Sequence, residues 1–463
     1  MPTDGSRIEQ WSRAYSILKH YVDFTFRFYF PTTVVGLDSI PNRGTHIFAP
    51  NHQNALMDAL AVLSVRNWQP IFLARADIFR KPLANRILTF MKILPVYRIR
   101  DGYENLQLND SIFQKTQDVI RNRNGLVILP EGNHAGAKLL RPLKKGIARI
   151  AFQAAEASPN ELDIMIIPVG LDYKDYVDVG STLLVRFGPP IALRRLMPIY
   201  RSNPAKAYNA LLKLLERGMK SEMIHVEDQV YYDAYMVILN SIIPPILKEN
   251  GVNLTHLNVF DAQQAFLKNI KKYRDKLPDD YLLLMAQALE YRNLKLKHGL
   301  TLNAFKPCDI RAIGATLVQM VLIILSVPFL VYSLVNNLFP LVIPLVASRY
   351  IKDQQFHSSV RFVLGILLFP LFHFIQVLLF AVISGNFIFT IIYAASLPLS
   401  VLVFFKLKRV VLNFCCRVKE NAFKLMNRTS SQRLQTLSNA LVKNTESILY
   451  GKFEEESATY LGR

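Results

Sequence analysis

His52 stands shortly before Asp58 in Asn51-His52-Gln53-Asn54-Ala55-Leu56-Met57-Asp58, directly after a short apolar run ending at Pro50. A histidine with a nearby carboxylate is the standard pairing for general-base chemistry. The carboxylate fixes the tautomer and stabilises the imidazolium formed when the ring takes a proton. Such a pair is common by chance, and taken alone it reads as a surface or satisfied core contact. Support comes further along the chain. Leu129-Pro130-Glu131-Gly132 reads as the end of a strand, and Leu140-Arg141-Pro142-Leu143-Lys144-Lys145-Gly146 as the opening of a helix. Pro142 suits a first helical turn. Lys144 and Lys145 would then face the positive end of the helix dipole, which disfavours cations by about 0.3–1 kcal/mol each. A bound anion there reverses the sign, because helix N-termini are ready-made phosphate sites; a solvated basic turn is the competing reading. Arg98 and Arg100, in Pro95-Val96-Tyr97-Arg98-Ile99-Arg100, add forked donors for the same phosphate.

The elements that must position these residues alternate. Short apolar runs at His46–Pro50, Pro70–Ala74, Leu94–Ile99, Gly125–Leu129, Asp163–Val169 and Leu183–Phe187 read as strands. Helical patterns lie between them at Ala55–Val65, Asp77–Lys92, Tyr103–Asn122 and Leu143–Ala157. This alternation implies a layered α/β domain over residues 34–200. Before it, residues 1–33 carry an aromatic and basic stretch, Ile8 to Phe30, expected either in a lipid headgroup layer or as a core helix. After it, residues 201–311 read as helical, interrupted at Pro244-Pro245, and serve as support, lid or partner surface.

Composition adds a membrane. Of 463 residues, 51% are hydrophobic and 19% charged, yet the net charge is +20. An apolar and basic chain suits anionic lipid surfaces or phosphorylated substrates; no nucleic-acid recognition motif is present. Ala312–Ser348 and Phe362–Phe405 contain no Asp, Glu, Lys or Arg, and a spanning helix needs roughly 20 apolar residues. Basic residues flank both runs: Lys306 and Arg311 before, Arg349, Lys352 and Arg361 between, Lys406, Lys408 and Arg409 after. The positive-inside rule therefore favours two hairpins over 312–409, turning at Asn336-Asn337 and at Ser384-Gly385-Asn386. The catalytic region and the basic segment and tail, 410–463, would then share the cytoplasmic side. Met1 to Gln10 lacks the layout of a secretory signal. Cys308, Cys415 and Cys416 form neither a disulfide framework nor a metal set, and fit weakly with a reducing compartment.

Taken in order, N-H-Q-N-A-L-M-D, P-V-Y-R, P-E-G and I-I-P-V-G-L resemble the four motif blocks of the glycerolipid acyltransferases, over roughly residues 34–195. The third block, with F-G-P-P-I at 187–191, is most similar to the glycerol-3-phosphate/dihydroxyacetone-phosphate acyltransferase branch. The resemblance implies His52 as base and Asp58 as its acid partner, Arg98 as the phosphate-contacting arginine, Glu131 and Gly132 as the third-block pair, and Pro168 as the fourth-block proline. Arg100, Arg141, Lys144 and Lys145 complete the expected substrate-binding set. Two departures stand out. Five residues separate His52 from Asp58, one more than is common. The dyad can therefore meet only if His52 precedes the helix, with Asn54 at its N-cap. Asn133-His134 replaces a common Thr-Arg, and His134 is a weaker alternative base.

The implied reaction is direct transfer. His52 deprotonates an acceptor hydroxyl, which attacks an acyl thioester, with backbone N–H groups on the developing oxyanion. The motif region lacks cysteine, so no acyl-cysteine intermediate is expected. Neither cofactor nor metal is needed; acyl-CoA and acyl-carrier protein both fit as donor. Glycerol 3-phosphate or dihydroxyacetone phosphate is the first expected acceptor, then a lysophospholipid such as lysophosphatidate, then a phosphate-free acceptor such as an amino-acid lipid. A non-enzymatic membrane scaffold is the alternative of a different class.

Overall fold

The computed structural model describes residues 8–41, 45–96, 108–121, 125–134, 136–157, 163–302 and 310–453. The chain divides into two compact units, Met1–His225 with Pro344–Ile366, and Val226–Ile343 with Leu367–Arg463.

The first unit runs α1 (Arg13–Tyr29), β1 (Thr32–Val35), β2 (Thr45–Pro50), α2 (Ala55–Leu63), β3 (Ile71–Arg75), α3 (Pro82–Phe90), β4 (Ile93–Val96), α4 (Leu108–Arg121) and β5 (Leu126–Val127). It continues through α5 (Gly146–Ala157), β6 (Ile164–Tyr173), β7 (Leu183–Phe187), β8 (Ile191–Ala192), α6 (Met197–Ser202) and α7 (Pro204–Glu222). The strands form one sheet in the order β1-β7-β6-β2-β5-β3-β4, with β8 also on β6. This is the expected α/β arrangement. β2 lies parallel to β6, with Ala49 opposite Pro168, and parallel to β5 on its other side. β6 pairs antiparallel with β7 and β8.

Every residue of β2 is buried, as a central parallel strand covered on both faces requires. Successive side chains point to opposite faces. Ile47 and Ala49 therefore join the layer containing Ile147, Phe152, Leu211 and Leu215, while Phe48 joins Phe26, Phe30, Met57 and Val62. Burying each such aromatic or aliphatic side chain contributes about 1.5–3 kcal/mol.

The N-terminal aromatic stretch is a core helix on one face. α1 buries Tyr15, Lys19, Val22, Phe26 and Tyr29 at helical spacing, and Ser12 caps it by accepting from the Tyr15 N–H. Gln69 exchanges two hydrogen bonds with the Ser12 backbone, at 2.9 and 2.8 Å, which fixes the start of the helix. The opposite face leaves Ile17 and Phe24 exposed. α3 buries none of its residues and exposes Leu83, Ile87 and Phe90.

Two of the boundaries that differ from the sequence reading bear on the site. α5 opens at Gly146, not near Leu140, so Pro142 and Lys144 precede the helix instead of forming its first turn. Glu131 takes the Arg141 N–H and the Pro130 carbonyl takes the Lys144 N–H, which holds 141–144 in a non-helical run. The first unit also extends past residue 200, because α7 packs on the sheet. Gly218 lies against Pro168, and a Cβ on Gly170 would collide with the Glu222 carbonyl oxygen. Gly170→Ala must therefore push α7 off β6. We expect a loss of about 3 kcal/mol, read as a lower melting temperature of the detergent-solubilised protein. Unchanged melting would contradict this close approach.

The second unit contains α8 (Tyr232–Val237), a wider turn over Ile238–Ile242, α9 (Ile243–Glu249), α10 (His256–Lys276), α11 (Pro278–Lys297) and α15 (Arg428–Leu449). Pro244-Pro245 falls in the first turn of α9, where a missing N–H is tolerated. α15 is part of this helical unit, not a free tail. Arg433 forks onto Glu290 with two 2.7 Å bonds, and Asn269 reaches the carbonyls of Ile448 and Leu449.

α12 (Ile310–Arg349), α13 (His357–Ser384) and α14 (Phe387–Met426) are the three apolar helices. Their stretches Thr316–Arg349, Gln354–Ser384 and Phe387–Met426 are long and apolar enough to cross a membrane. The second apolar run turns at Gly385, as expected. The first does not turn at Asn336-Asn337, and the first expected hairpin is a continuous helix. Both asparagines donate back to carbonyls four residues earlier, Tyr332 and Ser333, so they bond within the helix instead of ending it. They also reach the other two helices: Asn337 donates to Ser400 and its Oδ1 meets His373, while Asn336 Oδ1 accepts from Tyr393 and its backbone carbonyl from Gln376, at 2.6–2.9 Å. Polar side chains placed so between apolar helices act as interhelical hydrogen-bond glue.

Candidate active site

β2, β5 and β4 are mutually aligned through parallel pairings; the first and third sequence blocks follow the carboxyl ends of β2 and β5, and the second begins within β4 at Pro95. Open α/β sheets place ligands at such ends. His52 sits on the turn between β2 and α2, and Asp58 in the first turn of α2. His52 Nδ1 and Asp58 Oδ2 are 2.9 Å apart. The histidine side chain is 18% exposed and the aspartate fully buried, so the ring alone of the pair meets solvent.

Asp58 also organises the turn. The same Oδ2 accepts the backbone N–H groups of Gln53 and Asn54, both at 2.7 Å. Asn54 occupies the N-cap position but makes no side-chain cap bond; Asp58 instead ties the two N–H groups ahead of the helix back to its first turn. A carboxylate in a first turn also gains from the helix dipole. Ala55 lies between them at φ 44°, a left-handed conformation that costs an L-residue about 1–2 kcal/mol. That single reversal of handedness accommodates the additional residue between His52 and Asp58.

The neighbouring polar residues are all committed. Asn51 is completely buried and bonds both the N–H and the C=O of Leu171, extending the β2–β6 ladder through its side chain. Gln53 accepts from the Tyr176 hydroxyl. Tyr173 is buried beside Asp58; burial first, then the carboxylate charge, raises its phenol well above the usual range. None of these roles was read from sequence. The available signal was an unbroken polar run, Asn51 to Asn54, next to a buried strand, since each buried polar group needs a partner.

Glu131 ties the blocks together. Oε1 accepts the His52 N–H at 2.7 Å and Oε2 accepts the Arg141 N–H at 2.9 Å. Both oxygens thus serve the backbone, so Glu131 shapes the site from behind. Gly132 follows at φ 69°, a left-handed turn residue for which glycine is suited. Lys138 and Asp172, both nearly buried, pair at 2.6 Å and pin the third-block loop to β6. The Arg141 guanidinium reaches the His134 carbonyl, and Lys144 and Lys145 are exposed just before α5. The His134 ring stands edge-on to His52, 5.5 Å between centroids. Arg98 and Arg100 lie outside the described residues.

The model of the family described as Acyltransferase matches residues 31–172. Two curated proteins of Saccharomyces cerevisiae are similar: glycerol-3-phosphate O-acyltransferase 2, 28% identical over 131 residues, and glycerol-3-phosphate O-acyltransferase 1, 26% identical over 130 residues. These matches cover 28% and 27% of this chain and 17% of each relative's length. Among solved structures, the 1-acyl-sn-glycerophosphate acyltransferase PlsC of Thermotoga maritima aligns at 15% identity and a TM-score of 0.33, covering 45% of this chain and 81% of that one. Residues 31–172 are an acyltransferase domain, similar in sequence to the yeast glycerol-3-phosphate acyltransferases.

Proposed function

We propose that the protein transfers a fatty acyl chain from an acyl thioester to the hydroxyl of a glycerol-phosphate-type acceptor, glycerol 3-phosphate or dihydroxyacetone phosphate first. The His52–Asp58 geometry carries this reading. Asp58 holds Nδ1, which leaves Nε2 to take the acceptor's proton. The acceptor oxygen then bonds to the thioester carbonyl carbon, the C–S bond breaks, and the thiolate leaves with the proton His52 took. Arg141, Lys144 and Lys145 line the approach with positive charge and favour a phosphorylated acceptor over a phosphate-free one. The similarity to the yeast glycerol-3-phosphate acyltransferases supports the same order. Purified protein with labelled acyl donor should acylate glycerol 3-phosphate ahead of lysophosphatidate in an acceptor panel; acylation of lysolipid alone would overturn that order. Neutralising Lys144 and Lys145 together should raise the acceptor KM by about tenfold or more, at roughly 1.5–3 kcal/mol per lost charge-assisted contact. Equal losses for donor and acceptor would point to general electrostatics.

We further propose that the acyltransferase domain faces the cytoplasm. The exposed apolar faces of α1 and α3, with Arg80, Lys81 and Arg86 beside α3, suit a lipid headgroup layer. Asp353, in the loop between α12 and α13, contacts His134 of the same unit, which favours placing that loop on the catalytic side. α13 and α14 then leave and return as a hairpin. The segment Lys406–Arg428, with seven basic residues against Glu420, comes back toward an anionic leaflet, at roughly 1 kcal/mol per residue. In a chain with its native cysteines changed to Ser, an impermeant maleimide applied from the opposite side should label Phe387→Cys but not Gln355→Cys or Ser430→Cys. Labelling of position 355 from that side would break this topology.

A further inference from the structure

The loop between α12 and α13, together with the first turns of α13, lies far along the chain from the sequence blocks, yet within the first unit it grips two of them. Asp353 Oδ2 meets His134 Nε2 at 2.7 Å. The Phe356 ring packs edge-on against His134, 5.1 Å between centroids. Ser358 donates to Asn54 Oδ1 at 2.6 Å, a buried bond to the N-cap residue of α2. Gln355 lies so close to Gly136 that a Cβ there would strike its amide, and Phe362 packs edge-on against Phe26 and Tyr29. His134 is thereby held between Asp353 on one side and the His52 ring on the other, with its side chain 10% exposed.

A carboxylate on Nε2 must face an N–H, so Asp353 sets both the tautomer and the ring orientation of His134. Nδ1 is then the nitrogen left for a ligand, on a ring 5.5 Å from that of His52 between centroids; the Arg141 guanidinium bonds the backbone carbonyl of the same residue. A phosphate that carries a proton can bond Nδ1 through it, while Asp353 keeps the Nε2–H.

We propose that Asp353 is a positioning residue of the acyl-transfer site and that His134, which it holds, binds the phosphate of the acceptor. The linker between the first two apolar helices is thus part of the site's wall. The inference rests on the acyl-transfer reading above for its kinetic test, but not for its binding test. In full-length protein reconstituted in nanodiscs, Asp353→Ala should raise the KM for glycerol 3-phosphate about tenfold, the size of one lost contact of about 1.4 kcal/mol. The donor KM should move by less than about threefold, because the contact is made to the acceptor's phosphate alone. His134→Ala should do at least as much, and the double variant no more than His134→Ala alone, because one interaction is removed twice. His134→Arg, which keeps an N–H on Asp353 and offers others to the phosphate, should recover most of the loss. Additive effects, or equal rises in both KM values, would mean a merely structural loop and overturn the proposal. Thermal stabilisation by glycerol 3-phosphate without donor is the second readout and needs no turnover. Its loss in Asp353→Ala, or in Asp353→Asn should the alanine variant not fold, supports the inference even if acyl transfer proves to use another acceptor. No stabilisation of the wild type, or equal stabilisation of the variant, overturns it.

Discussion

His52→Ala is expected to lower turnover by about 10²–10⁴-fold, the usual contribution of a positioned general base, while leaving the protein folded. The side chain is partly exposed and its ring supports no backbone, so nothing structural should follow its removal. Asp58 differs. Asp58→Asn keeps an oxygen for the Gln53 and Asn54 N–H groups but loses the charge that stabilises the imidazolium, and a comparable loss of turnover should follow. Asp58→Ala instead strands three donors that now share one oxygen, each worth about 1–3 kcal/mol when left unpaired in the interior. That variant should lose stability as well as activity. Radiolabelled acyl transfer beside a melting curve separates the cases. Near-wild-type turnover in His52→Ala would remove His52 as the base.

Glu131→Gln is expected to cost about ten- to a hundredfold in turnover at neutral pH and to change how stability depends on pH. Burial raises the Glu131 carboxyl to about 7 from 4.5, against two backbone N–H bonds and the His52 charge that pull it down. An acid whose folded pKa stands above its unfolded value costs stability once ionised. The cost is absent below pH 4.5, grows between 4.5 and about 7, and is constant above. Its full size is about 3 kcal/mol. Glutamine removes this pH-dependent part, but turns one acceptor into an N–H₂ facing the N–H of His52 or Arg141, at about 1–3 kcal/mol. The variant should therefore lose less stability than wild type as pH climbs from 4.5 to 7. Parallel pH curves would mean that Glu131 is not the buried acid described.

Where a residue's role depends on local periodicity, the sequence was a sufficient guide. β7 spans Leu183–Phe187, the same five residues its apolar run suggests, and β2 and β6 fall within a few residues of expectation. β1 and β8 escaped because Thr32–Val35 and Ile191–Ala192 each contribute only two apolar residues beside prolines, too few to read as a strand. The position of His52 ahead of α2 followed from counting residues to Asp58. What held the pair did not, since Asp58 binds the backbone ahead of its own helix and Asn54 turns to Tyr176 and Ser358 instead. Charge counting favoured a hairpin in the first apolar run, yet α12 is unbroken, because asparagine in an apolar helix can bond its own preceding turn. Asp353 lay beyond sequence reasoning altogether: a contact between residues 219 positions apart leaves no periodic trace.

The left-handed Ala55 makes loop length and dyad geometry separable. A one-residue insertion in a helix normally rotates everything after it, yet here one φ of 44° takes up the slack and returns Asp58 to His52. Position 55 should then select strictly on side-chain shape. Glycine fits it without strain, asparagine with little, and valine, isoleucine or threonine are shut out by their branched Cβ. An aligner that fixes the gap between histidine and acid would score this block as broken. Here the two side chains still meet at 2.9 Å, and among distant relatives the gap length should covary with the residue at position 55.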